Sequence, residues 1–480
     1  MPNDSRPQHF SPNRPNYYDF GSKNYYGVHR QGNGNNGTGN NNLRATVTVL
    51  PGISTDDPVN DFLLPPDNAT AVDGHSIVQA VNDVVKWTDL AGNNATEQAM
   101  TTFFSPLPNY GYFLDPRDLY DTATGLFVVS TGTEGTANGT TTNGNAYILL
   151  AVSKDGNPND GWKEYSYQFS LTTSVTDVTN VDQPTIAADG ATFFVVGSVS
   201  NEQLELVISG DGTGSAKQID LGSNNVAGIY RQVAVDGRGD YALAQNNGVL
   251  TLQHISISGV VDGKSSVTLG TVGTSTSTLS ATNGEQFLPT AGTTQPLDAG
   301  DTRIYSVTAP VKGIMYATFE VTPTSGPDAG TPNTHWVELN VSDPSHMKLV
   351  DQGTVSGSMI SAGVGSSMCS VAVDAAGDVI LNFIGSGPDL TPTDYFEIKR
   401  AGEATFSAPT AWDSSAGPYF EAGAGMFGPE VASRFGDYSS AVADPNNAHG
   451  FYISNEIGIT PGGSGWATPI AHVVIPTTTV

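Results

Sequence analysis

One cassette recurs along this chain and limits what the chain can fold into. Its clearest copy runs Arg434-Phe435-Gly436-Asp437-Tyr438-Ser439-Ser440-Ala441-Val442-Ala443-Asp444-Pro445 and continues through His449-Gly450-Phe451-Tyr452-Ile453-Ser454. It is a polar lead-in, a short apolar strand, a turn and a second apolar strand, the pattern of a β-hairpin. Six further copies align on the turn: 71–74 with 77–81, 119–121 with 126–129, 185–190 with 193–196, 233–237 with 241–243, 303–307 with 314–317 and 371–374 with 378–381. The fifth of the seven is divergent, turning at Lys312-Gly313 instead of at an aspartate.

The turn positions 73, 121, 189, 236, 312, 374 and 444 are spaced by about 62 residues, more than the roughly 40–50 of a compact propeller blade and enough for long loops. A second hairpin follows most cassettes, as in 204–208 with 217–221 and 336–341 with 347–350. Four strands per repeat, seven times, predict an all-β, seven-bladed β-propeller. The last repeat supplies only a third strand, 466–475, whereas strand 44–50 stands alone before the first cassette. Pairing that N-terminal strand, about 43–50, into the last blade would remove an exposed edge and close the ring. A helix over 80–87 fits worse than strand, because the segment is rich in valine. The domain reading is therefore a flexible Asn/Gly/Tyr-rich arm over 1–42 and a propeller over 43–480. In the arm, Tyr17, Tyr18, Tyr25 and Tyr26 offer the one sharper alternative, docking on a neighbouring copy.

Composition narrows the partners. The chain carries 19 basic and 47 acidic residues, a net charge of −28, so nucleic acid and anionic membranes lack the cationic footprint they need. Glycan, or copies of the chain itself, are the expected partners, with no membrane insertion. The lone cysteine, Cys369, rules out an intrachain disulfide and reads as a core residue within a strand. No apolar run reaches the ~20 residues of a membrane span. The composition leans extracellular or cell-surface, without a recognisable N-terminal signal peptide, so secretion would leave the N-terminus uncleaved or precede the form given.

Several of these segments resemble a known group. Pro65-Pro66-Asp67 with Ala71-Val72-Asp73-Gly74 and Gln79-Ala80-Val81-Asn82, Asp115-Pro116-Arg117-Asp118-Leu119-Tyr120-Asp121, Leu297-Asp298-Ala299-Gly300-Asp301-Thr302-Arg303 and Arg434-Phe435-Gly436-Asp437-Tyr438 together look like secreted bacterial propellers of the sialidase-like superfamily, over roughly 60–475. That group hosts hydrolases, lyases, lectins and proteins without activity, so the resemblance implies the fold more than the function. The Arg-Ile-Pro motif of true sialidases does not occur, and Ser153-Lys154-Asp155-Gly156 with Trp162 is a stretched echo of their Asp-box turn. Sialidase activity is therefore not expected.

In a propeller the first strand of each blade lines the central channel, so residues just before these strands share one rim. Those positions carry Asp67, Asp115, Arg117, Asp182, Arg231, Arg434 and Asp437. Asp67, Asp115, Asp182 and Asp437 are the oxygen donors that Ca2+ takes, about six to eight per ion; the plainer role is to cap the tight turn into each strand. Arg117, Arg231 and Arg434 either bind a sugar carboxylate bidentately or pair with the aspartates. The catalytic candidates are Asp437, Tyr438 and Arg434. Hydrolysis needs two carboxylates flanking the bond, for which Asp437 joins Glu421, Glu430 or Glu456; lyase chemistry would use Tyr438 as base and Arg434 as the neutralising cation. The eight histidines show no local zinc spacing, and Trp162, Trp336, Trp412 and Trp466 either pack in the core or stack on sugars. The favoured reading is a glycan-binding or self-assembling propeller without catalysis. The alternatives are a glycoside hydrolase or polysaccharide lyase with its site at the channel mouth, and a structural surface or filament component assembled through the arm.

Overall fold

The computed structural model describes residues 45–59, 63–108, 110, 112–134, 146–170, 181–199, 202–210, 215–223, 233–246, 248–269, 286–420 and 432–477. The N-terminal arm and Arg231, Glu421 and Glu430 lie outside them.

The fold is a seven-bladed β-propeller of antiparallel sheets. Blade 1 takes Ala69–Val72, Ser76–Val81, Val84–Asp89 and Thr96–Ala99. Blade 2 takes Tyr112–Asp121, Leu126–Glu134, Ala146–Ser153 and Trp162–Phe169, and blade 3 Asp182–Asp189, Thr192–Val199, Glu202–Ser209 and Ala216–Ser223. Blade 5 takes Ile304–Val307, Ile314–Val321, Asn333–Asn340 and Lys348–Thr354, and blade 6 Gly365–Val373, Val379–Gly387, Leu390–Lys399 and Thr410–Ser414. The segment 80–87 is a tight hairpin across Asn82 and Asp83, and the only α-helix among the described residues is one turn, Met100–Phe103.

Blade 4 departs from the pattern. Among the described residues it has three strands, Gly239–Asn246, Val249–Ser256 and Val261–Thr268. Val233, Ala234 and Val235 hold the place of its first strand through a single bridge, Val235 to Asp240, and the bond from Tyr241 N to Ala234 O. The glycines Gly237 and Gly239, both at positive φ, break the hairpin that the other cassettes form.

Blade 7 closes the ring. Its sheet runs from Ser440–Ala443 through Gly450–Ser454 and Trp466–Val474 to Thr46–Ser54, the N-terminal strand, which pairs antiparallel with Trp466–Val474 from Thr46↔Val474 to Ser54↔Ala467. The strand extends four residues past the expected end through a bulge between Leu50 and Ile53. There Gly52 lies so close to Thr468 O that a Cβ would sit 1.7 Å from it. Ile53 joins Val81, Val84 and Trp466 in a core spanning blades 7 and 1.

Each sheet is apolar on both faces because each face packs on the next blade. This is why Thr192–Val199 and Ala146–Ser153 read as continuous apolar runs. One core lies between each pair of blades, from Phe127 and Trp87 between blades 1 and 2 to Phe451 and Trp412 between blades 6 and 7. All five tryptophans are buried, as is Cys369. No helix among the described residues is long and apolar enough to cross a membrane.

Candidate functional site: the channel mouth

The first strands start through a shared irregularity. Asp67, Asp115, Gln183 and Met368 all adopt left-handed φ, 49° to 55°, and each lies six residues before the turn aspartate of its blade. Asp437, at φ 64°, lies seven residues before Asp444. In blades 2, 3 and 6 this residue falls where the pairing register shifts, so it is a bulge residue whose amide leaves the ladder. An oxygen from the preceding blade then takes that amide. Asn82 Oδ1 accepts from Asp115 N at 2.8 Å, Asp115 Oδ2 from Gln183 N at 2.7 Å, and Glu320 Oε1 from Met368 N at 2.8 Å. Blade is thus stitched to blade around the mouth.

Four of the expected residues converge here. Asp115 and Asp437 are both close enough to Asp67 and Asp182 to act on the charges of those two carboxyls. Asn82 Nδ2 also donates to Asp67 Oδ2 at 2.6 Å. Burial, together with repulsion from Asp437 and Asp115, pushes the Asp67 carboxyl well above its ordinary range. Burial and the Asp115 charge push Asp182 up to about 7. The carboxyls form a row, Asp67–Asp115–Asp182, rather than a cage. Among the described residues, the one group of three or more acidic or histidine side chains with all ligand atoms within 4.8 Å lies elsewhere, at Asp374, Asp378 and His449.

The arginines are engaged within the protein. Arg434 forms an ion pair with Asp437. Burial works against its charge, yet Asp437, Asp67, Asp298 and Asp115 hold its pKa above the ordinary arginine value. Arg117 lies 3.5 Å over the ring of Tyr438, and its Nε donates to Pro184 O at 3.0 Å. Tyr438 is buried, its hydroxyl makes no hydrogen bond, and burial and Asp115 raise its pKa well above the usual phenol value.

Further residues complete the mouth, and of these Glu456 was expected as a carboxylate partner for Asp437. Arg303 pairs with Asp301 at 3.0 Å and stays charged because of Asp301 despite its burial. Its segment, 297–303, carries one of the quoted motifs, which was the available signal. Glu456 Oε2 accepts from Gly436 N at 2.6 Å, and burial lifts its carboxyl to about 8. Asn82 closes the Gln79-Ala80-Val81-Asn82 part of the first quoted motif, but nothing local marked it as a residue of the mouth. A short hairpin, Phe287–Leu288 with Leu297–Asp298, inserted between blades 4 and 5, reaches blade 7 by Asp298 N to Ser433 O and Ser433 N to Pro296 O, both 2.8 Å. Leu288 and Leu297 pack with Tyr305, Met368, Ile384, Tyr419 and Phe435, an apolar plug on the blade 5–7 side. The mouth thus has an apolar plug on the blade 5–7 side, beside the Arg303–Asp301 and Arg434–Asp437 ion pairs, while Asp67, Asp115 and Asp182 lie towards blades 1–3.

No family model matches the chain, and no curated protein matches it. Solved structures that it resembles include a functionally unknown protein from Desulfotomaculum acetoxidans DSM 771, with TM-score 0.40, 10% identity, 80% of this chain and 89% of that one covered. The Pseudomonas aeruginosa periplasmic gluconolactonase PpgL gives TM-score 0.39 at 12% identity, covering 90% and 99%. The quinohemoprotein alcohol dehydrogenase from Comamonas testosteroni gives 0.38 at 11%, covering 86% and 67%. Likeness this distant says nothing about activity.

Proposed function

We propose that the chain is an extracellular or cell-surface propeller, of sialidase-like type, that binds a neutral, hydroxyl-rich glycan at the acidic side of the mouth with Ca2+, without cleaving it. The observation that carries this reading is the meeting of Asp67, Asp115 and Asp182 from three neighbouring blades, with Asp115 close enough to raise the other two carboxyls. Carboxylates so placed require either shared protons or a cation, and a row of hard oxygen donors suits the flexible coordination of calcium. Vicinal hydroxyls of a sugar are the kind of oxygen that would complete the ion's shell. Arg117 and Arg434 are already held by Tyr438 and Asp437, which favours a neutral ligand over an acidic one.

The catalytic candidates are poorly poised. Tyr438 is driven away from the phenolate it would need as a base, and Asp437 is neutralised by Arg434. A hydrolase reading keeps one specific support: Glu456, with its carboxyl at about 8, neighbours the ion-paired Asp437, the acid-plus-carboxylate arrangement of a glycosidase. Assembly through the N-terminal arm falls on residues outside those described.

The test is incubation with a polysaccharide panel, with and without calcium, scoring retention and new reducing ends together. Calcium-dependent retention without new ends, abolished by Asp115→Asn, is expected. New ends that vanish in Glu456→Gln would replace this reading with a hydrolase, and neither retention nor cleavage would overturn both.

A further inference from the structure

At the opposite face of the ring, the inner turns of blades 6 and 7 meet. Ala376 N donates to Ala448 O at 3.0 Å across this junction. Asp374 and Asp378 from blade 6 and His449 from blade 7 place their ligand atoms within 4.8 Å of one another. Each carboxylate has one oxygen committed to backbone. Asp374 Oδ1 accepts from Ala376 N at 3.0 Å and Asp378 N at 2.9 Å, and Asp378 Oδ1 accepts from Ala401 N at 2.7 Å. Of the other two oxygens, Asp378 Oδ2 meets His449 Nδ1 at 2.8 Å. Asp374 Oδ2 is buried without a hydrogen-bond partner, on a residue only 4% exposed. An acceptor buried without a donor is a cost the turn does not need, since Oδ1 alone makes both of its bonds.

We propose that Asp374, Asp378 and His449 bind a zinc-type divalent cation that clamps blade 6 to blade 7. One imidazole with two carboxylates is a donor set for Zn2+. Tetrahedral bonds of about 2.0–2.2 Å put neighbouring donors about 3.4 Å apart, so His449 Nδ1 and Asp378 Oδ2, 2.8 Å apart in their hydrogen bond, need separate only by about half an ångström to admit the ion. The amides on Asp374 Oδ1 and Asp378 Oδ1 orient the carboxylates as outer-shell partners do, and His449 N donates to Asn447 Oδ1 at 3.1 Å to fix its turn. The His449 side chain is 35% exposed, which gives solvent the fourth position. The ion joins the closing blade to its neighbour, so its role is structural. The adjacent pair His472 Nε2–Asp444 Oδ2, at 2.7 Å, lacks the third ligand.

The full chain, stripped with chelator and desalted, is titrated with ZnCl2 by calorimetry and melted with and without equimolar zinc. One ion per chain at micromolar affinity or tighter, with a rise in Tm, is expected. Asp374→Asn keeps the Oδ1 acceptor for both amides but replaces Oδ2, and His449→Gln removes the imidazole. Each should weaken zinc binding at least tenfold while leaving the metal-free Tm nearly unchanged. Absence of binding by the wild type, or equal binding by wild type and variants, overturns the clamp. If Asp374→Asn melts early without metal, the half-exposed His449→Gln decides alone.

Discussion

In blades 1, 2 and 7 both ends of the channel strand carry aspartate and use it differently. At the turn end, one carboxyl oxygen of each aspartate is satisfied locally: Asp73 Oδ1 accepts from His75 N and Ser76 N, Asp121 Oδ1 from Ala123 N, and Asp444 Oδ1 from Asn446 N. These are Asx turns, satisfied within four residues. At the mouth, six or seven residues earlier, Asp67, Asp115 and Asp437 sit on left-handed backbone, and their recorded partners are Asn82, Gln183, Arg434 and one another. An aspartate oxygen satisfied within its own turn serves the turn alone, whereas the second oxygens of Asp374 and Asp444 stand beside His449 and His472. Asp115, whose Oδ2 reaches Gln183 on the next blade, depends on the closed ring.

Opening the ring is therefore the harshest way to break the comparison. Deleting residues 45–54 exposes the edge of Trp466–Val474 and removes Leu50 and Ile53 from cores that span blades 7 and 1. Gln79 also loses its bond to Ile53 N, and Lys86 Nζ its bond to Gly52 O. Each buried aliphatic side chain alone is worth about 2–5 kcal/mol, against a total stability of roughly 5–15 kcal/mol. The cooperative melt should be lost, followed by circular dichroism. The turn aspartates would keep their local bonds while the mouth came apart; an unchanged melting curve would refute the closure argument.

That asymmetry also explains what was legible in the sequence. Turn aspartates announce themselves by flanking apolar runs and glycine, so six of the seven turns were placed on an aspartate and the seventh on Lys312-Gly313. The orphan strand at 44–50 was legible because a propeller cannot leave an edge open. The gathering of Asp67, Asp115, Asp182 and Asp437 followed only once the repeats were aligned, since nothing local distinguishes Asp115 from a surface aspartate. Asn82 lay in a quoted motif, but its role was not legible because its partners, Asp67 and Asp115, are set by blade packing. The plug went unread because its paired segments are two residues long within a Pro/Thr-rich loop. Asp374 and His449 lie in different repeats, and no spacing rule connects them.

A gentler test uses pH. Asp182 and Glu456 have folded pKa values raised to about 7 and about 8, in each case foremost by burial. Between their ordinary carboxyl values and these, the folded chain holds more protons than the unfolded one, so stability falls as pH rises. In EDTA, Tm should decline from pH 5 to pH 8. Asp115→Asn should flatten that slope, because it removes the charge that presses on Asp67 and Asp182 while keeping an acceptor for Gln183 N at a residue type tolerant of left-handed φ. Calcium should flatten it in the wild type as well. A Tm that rises over this window would show that the mouth carboxyls are stabilised as anions without a cation.

The smallest expected effect is at the other end. Asp73→Asn keeps the oxygen that accepts from His75 N and Ser76 N, and asparagine forms the same turn. Its change in stability should stay within about 0.5 kcal/mol, and the pH slope of Tm should match the wild type, whereas Asp73→Ala should cost about 1 kcal/mol through the lost acceptor. The pair of asparagine variants sets the two ends against each other with one chemical change. Removing a charge is silent where the carboxylate serves only as an acceptor and alters the pH response where it faces other carboxyls. If Asp73→Asn moved the slope as much as Asp115→Asn, the turn aspartates would share the field of the mouth, and the division of labour along each channel strand would be wrong.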